Sequence, residues 1–277
     1  MKKLIVISAF LTLASFNIVL SQDFQPNFLG DKFNLYKGVT VSINSKVDDF
    51  RLSNKFFTKV PKSETEEFEL RIDNLSEYKN TKWKILSVDI PENRFASISD
   101  IPNHVYFQLK DINSEMIVYY DYSTIMDWDF VLLTEPIPIL EKDFIPDIEK
   151  SVDDFTGEVS IFSPLKRGVG VQKNIKKGKS VTQLILRLPS DRLLRGKGVI
   201  ILFSDGTKWS RPNEQIYVEG EKSGYSLNSI INLTAQDGAL FQKKRIKKFR
   251  IISADGGLQD VEGDIIKAYM SIISKMK

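Results

Sequence analysis

The sequence predicts a mainly β, α+β protein: an N-terminal small β-barrel or sandwich, then a C-terminal antiparallel sheet with a short helix and a packed C-terminal helix. Three observations predict it. Short apolar runs with period-two alternation recur along the chain and are separated by turn-forming residues. The run Val199-Ile200-Ile201-Leu202-Phe203 has no polar alternation, as in a central strand covered on both faces; it stops at Ser204-Asp205-Gly206 and resumes at Thr207-Lys208-Trp209, where Asp-Gly predicts a type I′ hairpin turn. Only the last twenty or so residues show sustained helical spacing.

The first 21 residues carry Lys2 and Lys3, a mostly apolar stretch to Leu20, and Val19-Leu20-Ser21 before Gln22. This is the layout of a signal peptide cleaved after Ser21. Ser8, Thr12, Ser15 and Asn17 interrupt the apolar run, which argues against a retained membrane anchor. No later stretch reaches the ~20 apolar residues of a membrane span, so the expectation is an exported protein, periplasmic or extracellular, with no span after cleavage. The chain has no cysteine. That excludes disulfides, a lipid-anchoring cysteine, a thiol nucleophile and thiolate metal sites. Removing Lys2 and Lys3 with the leader leaves 37 basic against 36 acidic residues. A balance this even gives no reason to expect nucleic acid as a partner.

From residue 22 to 135 we expect the N-terminal β-rich domain. Phe33, Leu35, Val39, Val41 and Ile43 share one side of an alternating run, and Phe68, Leu70 and Ile72 repeat with period two. Further strands are expected over residues 83–90, 105–109, 116–122 and 130–133, between turns at Asp73-Asn74, Pro91-Glu92-Asn93 and 111–114. Pro136, Pro138 and Pro146 suit neither a central strand nor a helix interior, so residues 136–150 are expected to link two domains. Residues 151–277 form the second. Leu184, Leu186 and Leu188 are in phase on a strand, and Thr234 caps a short helix with Asp237 near its positive end. Val261, Ile265, Tyr269, Ile272 and Met276 form one stripe of a terminal helix, and Ile266 and Ile273 widen it.

Catalytic groups are scarce. His104 is the only histidine, expected beside Pro102-Asn103 in a loop before a strand, and no Gly-x-Ser-x-Gly accompanies it. A single histidine without cysteine disfavours zinc, and of the two acidic clusters worth testing for calcium, 127–129 and 255–264, the stretch 255–260 lacks the alternating acids of an EF-hand loop. We therefore expect no catalytic residue, no metal and no cofactor. Two stretches suggest binding. Tyr119, Tyr120, Tyr122, Trp128 and Phe130 would make a stacking platform for sugar or a protein hot spot if exposed on one face. Lys243, Lys244, Arg245, Lys247, Lys248 and Arg250 would hold an anion, although Ile246, Phe249 and Ile251 among them suggest a lysine-protected edge strand instead.

One resemblance covers roughly residues 150–277. Asp154-Phe155-Thr156-Gly157 with Ser163-Pro164, the 198–209 stretch with Pro212, Ile231-Asn232-Leu233-Thr234, Lys247-Lys248-Phe249-Arg250 and a terminal helix near Glu262-Gly263 resemble a group of exported proteins common in Bacteroidetes, to which no activity is assigned. The resemblance implies a Gram-negative envelope location and a β-rich module. The expected role is a non-catalytic envelope protein that binds a protein or glycan partner. The alternative is a carboxylate-dependent hydrolase of an envelope or extracellular polymer, since two suitably spaced acids suffice for that chemistry.

Overall fold

The computed structural model describes residues 29–30, 32–47, 52, 55–61, 64–72, 78–79, 81–90, 104–123 and 130–277. The expected leader at 1–21 lies outside the described residues, as do the turns at 73–74 and 91–93. The fold is mainly β, with antiparallel sheets, short helices and one long C-terminal helix.

The N-terminal sheet has six antiparallel strands: β1 (Thr40–Ile43), β2 (Phe56–Phe57), β3 (Lys82–Asp89), β4 (His104–Asp111), β5 (Ile117–Ser123) and β6 (Leu132–Thr134), in the order β2-β5-β4-β3-β1-β6. Its two outermost strands do not pair with each other, so among the described residues the sheet is open and not a barrel. An aromatic cluster holds it. Phe107 contacts Tyr36 edge-on with centroids 5.6 Å apart and Phe130 at 5.7 Å, and the Val131 amide donates to the Tyr120 hydroxyl at 3.0 Å.

Two expectations fail here. The alternating run 33–43 is not one strand: Phe33–Tyr36 is a 3-10 turn, and only Thr40–Ile43 pairs in the sheet. The period-two run 68–72 is largely helical. Helix α1 (Glu64–Leu70) leaves Phe68 77% exposed, because the helix propensity of a glutamate-rich sequence outweighs three apolar residues in phase.

The segment expected to be a linker contains helix α2 (Glu141–Phe144) and is docked by its side chains. Asp147 accepts from Tyr269 at 2.8 Å and pairs with Lys32, and Glu141 accepts from Ser271 at 2.7 Å and pairs with Lys275. The buried Phe144 ring meets Tyr269 edge-on at 6.0 Å.

The C-terminal half consists of two sheets pressed on one helix. Strands β7 (Glu149–Val152), β8 (Val159–Phe162), β9 (Val169–Lys176), β10 (Lys179–Ser190), β13 (Tyr217–Glu221) and β14 (Gly224–Asn232) form the larger sheet, ordered β13-β14-β10-β9-β8-β7. Strands β11 (Lys197–Phe203), β12 (Lys208–Gln215), β15 (Ile246–Ile251) and β16 (Ala254–Gly257) form the smaller, ordered β12-β11-β15-β16. Helix α4 (Asp260–Lys275) packs against β9 of one and β15 of the other, with helix α3 (Ala235–Lys243) beside it. This double contact is why the apolar arc of α4 is broad: Val261, Ile265, Ile266, Tyr269, Met270, Ile272 and Ile273 are all buried. Gly263 is part of the fit, since a Cβ there would lie 2.4 Å from the Ile246 carbonyl oxygen. At the far end the buried Lys173 ammonium donates to the carbonyls of Ser274 (3.0 Å) and Met276 (2.7 Å), a cation where the helix dipole is negative.

Strand β11 is central in its sheet, as expected, but it is not covered on both faces. Val199, Ile201 and Phe203 are buried, whereas Ile200 is 38% exposed. The hairpin turn also differs from the type I′ expectation. Its loop is Ser204-Asp205-Gly206, closed by the Phe203 amide on the Thr207 carbonyl at 2.9 Å, and only Gly206 has positive φ (82°). One Asp205 carboxylate oxygen accepts from the Thr207 amide and hydroxyl, which fixes a three-residue loop with glycine last. Strand β15 is not an edge strand. It pairs with β11 on one side and β16 on the other.

Candidate functional site

The aromatic stretch does not form a platform. Strand alternation puts Tyr120 and Tyr122 inside with Phe130, at centroid distances of 6.0 and 5.5 Å, and all three are buried. Tyr119 points the other way, half-buried, its hydroxyl accepting from Gln108 at 3.0 Å. Trp128 lies outside the described residues. The cluster is chiefly core, and the rings cannot present one face.

The basic stretch is divided between two places. Lys244 and Arg245 follow α3. Lys244 pairs with Asp205 at 2.8 Å, and Arg245 reaches Asp264 at 3.1 Å and Asp260 at 3.4 Å. With Lys243 and Lys267 they border a cavity of about 290 Å³ that also holds Asp205 and Asp264. Lys248 and Arg250 lie on the outer surface of the smaller sheet, Arg250 held by Asp255 through two bonds of 2.5 and 2.7 Å, and Lys247 is exposed nearby. Of these six charges close in sequence, Lys244, Arg245 and Arg250 pair with separate carboxylates, and the stretch does not gather on one anion site.

The carboxylates are engaged in structure. The Asp153 oxygen accepts the amides of Phe155 and Thr156, capping the β7–β8 turn and holding its pKa below the ordinary value. For Asp237, burial alone would raise the pKa, but bonds from Trp209 Nε1 (2.7 Å) and Thr234, with the nearby Arg211 charge, outweigh it and hold the group below 3.8. Glu141 and Asp255 are lowered by Lys275 and Arg250. Among the described residues each carboxylate whose pKa departs from its ordinary value departs downward. A general acid needs the opposite shift. His104 opens strand β4 instead of sitting in a loop before it, and its Nδ1 lies 2.9 and 3.0 Å from the two Asp121 oxygens. Among the described residues no three His, Asp or Glu side chains converge as metal ligands would.

The surface that stands apart is the outer face of the larger sheet, away from α4. Leu184 and Leu186 point inward with Val171, Leu227 and Ile231, so their strand neighbours point outward. Register places Phe162, Gln172, Gln183 and Asn232 side by side on β8, β9, β10 and β14. Their amides form a chain. Asn174 Oδ1 accepts from Ser160 Oγ (3.0 Å) and Gln172 Nε2 (2.8 Å), Asn174 Nδ2 donates to Gln183 Oε1 (3.1 Å), and Gln183 Nε2 donates to Asn232 Oδ1 (2.8 Å). Val181 (43% exposed) and Ile230 (47%) flank this chain, and Tyr217 (56%) stands further along the face, in the row of Asn228 and Arg187. Lys176 and Lys179 flank the β9–β10 turn, and between that pair and Arg187 none of β8, β9, β10 and β14 points a charged side chain outward. Arg187 closes the patch, paired with Glu221 at 2.7 Å.

Sequence reasoning missed this face while using its inward half. The phase that identified Leu184, Leu186 and Leu188 also sets Gln183, Ile185 and Arg187 outward, and Asn228, Ile230 and Asn232 alternate with Leu227, Ser229 and Ile231. Amides recurring at outward positions of neighbouring strands were the available signal. No family model, no curated protein and no solved structure matches the chain.

Proposed function

We propose that this protein is an exported, non-catalytic component of the cell envelope that binds a protein or glycan partner on the outer face of its larger C-terminal sheet. The observation that carries the reading is the hydrogen-bonded amide chain on a patch without charge, in a protein of which 27% is charged residues. Depletion of charge marks the centre of binding surfaces, and the fold does not require it, since charged residues would keep the face soluble. The leader-like first 21 residues and the resemblance to exported proteins support the location. A hydrolase would need a carboxyl held protonated opposite a second acid, and the shifted carboxylates here are held ionised.

The test is affinity capture from the native envelope by tagged protein beginning at Gln22, compared with a Gln183→Ala/Asn232→Ala variant. The reading expects a captured component that the variant loses while unfolding normally. Equal capture by both proteins refutes it.

A further inference from the structure

We propose that the ligand of this face is a neutral, hydroxyl-rich glycan, held by the side-chain amides of Gln172, Asn174, Gln183 and Asn232; this rests on the face being the binding surface. The bonds within the chain leave a defined set of groups unspent. A primary amide has two N–H donors and a carbonyl with two lone pairs. Gln172, Asn174 and Gln183 each spend one N–H on the chain, and Asn232 spends only its oxygen. Five N–H bonds and the Gln172 carbonyl therefore remain outside it. A sugar hydroxyl donates and accepts at once, so a series of vicinal hydroxyls can satisfy a mixed array of this kind.

Charge narrows the ligand class. Phosphate, nucleic acid or an acidic polymer would need unpaired Arg or Lys among the amides; Arg187 at one margin is engaged by Glu221 and Lys176 at the other by Glu158, and Lys179 stands beside the turn, outside the amide row. A protein partner would bury these amides against groups that leave several of them unsatisfied, at the cost such burial carries. A glycan brings a hydroxyl to each. The apolar neighbours suit the same ligand. Tyr217 is more than half exposed one row from Ile230, a ring and an aliphatic surface for the C–H face of a sugar.

Geometry adds preorganisation. Gln172, Gln183 and Asn232 stand on three adjacent paired strands, with Phe162 on a fourth, so the row spans about 14 Å at the usual strand spacing. Each amide is oriented by its neighbour before any ligand arrives, so little side-chain freedom is lost on binding.

Native electrophoresis of the chain from Gln22 through gels cast with a soluble β-glucan, a galactomannan, a soluble starch or, for charge, a polygalacturonate tests the proposal. Retardation is expected in at least one neutral gel. It should weaken about ten-fold or more in Gln183→Ala/Asn232→Ala, which removes two amides at a typical factor of a few each. Gln183→Glu, which keeps the size and adds a charge, should also weaken it, and Lys248→Ala on the other sheet should not. Unaltered migration in all neutral gels, or retardation by polygalacturonate alone, overturns the glycan. If envelope capture still depends on Gln183 and Asn232 in that event, the face survives and its ligand is of another class. If capture is also indifferent to them, the face itself is wrong.

Discussion

The two sheets that hold α4 are alike on the side that meets the helix and unlike on the side turned away. Both bury aliphatic side chains inward: Val171, Leu184 and Leu186 from the larger, Val199, Ile201 and Ile251 from the smaller. Outward, the smaller sheet sets Lys208 and Lys248 on either side of Leu202, and Ser210 and Arg250 on either side of Ile200, with Asp255 paired to Arg250. The larger sheet sets Gln172, Gln183 and Asn232 in a row without a charge between them. The inward likeness follows from burial, which allows little else. The outward difference does not follow from folding, because the charged solution keeps a sheet soluble at no packing cost. The amide face is therefore where function is to be sought, and the charged face is its internal control.

Predictions that sharpen the comparison start inside. Trp209→Ala removes a buried ring that meets Phe241 edge-on at 5.1 Å and donates to Asp237. Urea denaturation should show a loss of about 3–5 kcal/mol, and a loss below about 1 kcal/mol, in the surface range, would mean the inward face of the smaller sheet is misassigned. Lys173→Met, on the inward face of the larger sheet, leaves the Ser274 and Met276 carbonyls without their donor. The expected cost is about 1–3 kcal/mol, the usual penalty for stranding buried polar groups.

Acid should act through the interior before it acts on the amide face. Asp237 has a folded pKa below its ordinary 3.8. A depressed folded value means that its stabilisation is complete above the unfolded pKa and is lost as pH falls through the folded one. Thermal midpoints followed downward from about pH 5 should fall below roughly pH 4, and Asp237→Asn should flatten that part of the curve. An unchanged slope in the variant would assign the acid sensitivity elsewhere. The smallest effect is expected outside. Gln183→Ala/Asn232→Ala should change stability by no more than about 0.5 kcal/mol per site, as solvent replaces the amide partners. A larger loss would make the chain of amides a structural device.

How much of this was legible in the sequence follows the same division. The inward pattern was readable because burial imposes period two on β10 and helical spacing on α4, and Thr234 and Asp237 formed the capping box their spacing suggested. Gln259 and Glu262 form another at the start of α4, close to the expected boundary. Local chemistry alone misled where tertiary context decided. The lysines of β15 suggested an edge, but the chain returns at Ala254–Gly257 to pair beside it. The tyrosines of β5 suggested a platform, but alternation sends Tyr120 and Tyr122 into the core. The amide face was hidden for a different reason. Asn174, Gln183 and Asn232 are dispersed over 59 positions, and only the register of three strands brings them together.

The comparison is tested most directly by photo-crosslinking in the native envelope. One protein would carry Asn228→p-benzoylphenylalanine on the amide face, another Lys208→p-benzoylphenylalanine on the charged face. Adducts of higher mass from position 228 and none from position 208 are the predicted result. Adducts from position 208 alone, or equally from both, would contradict the assignment of binding to the larger sheet.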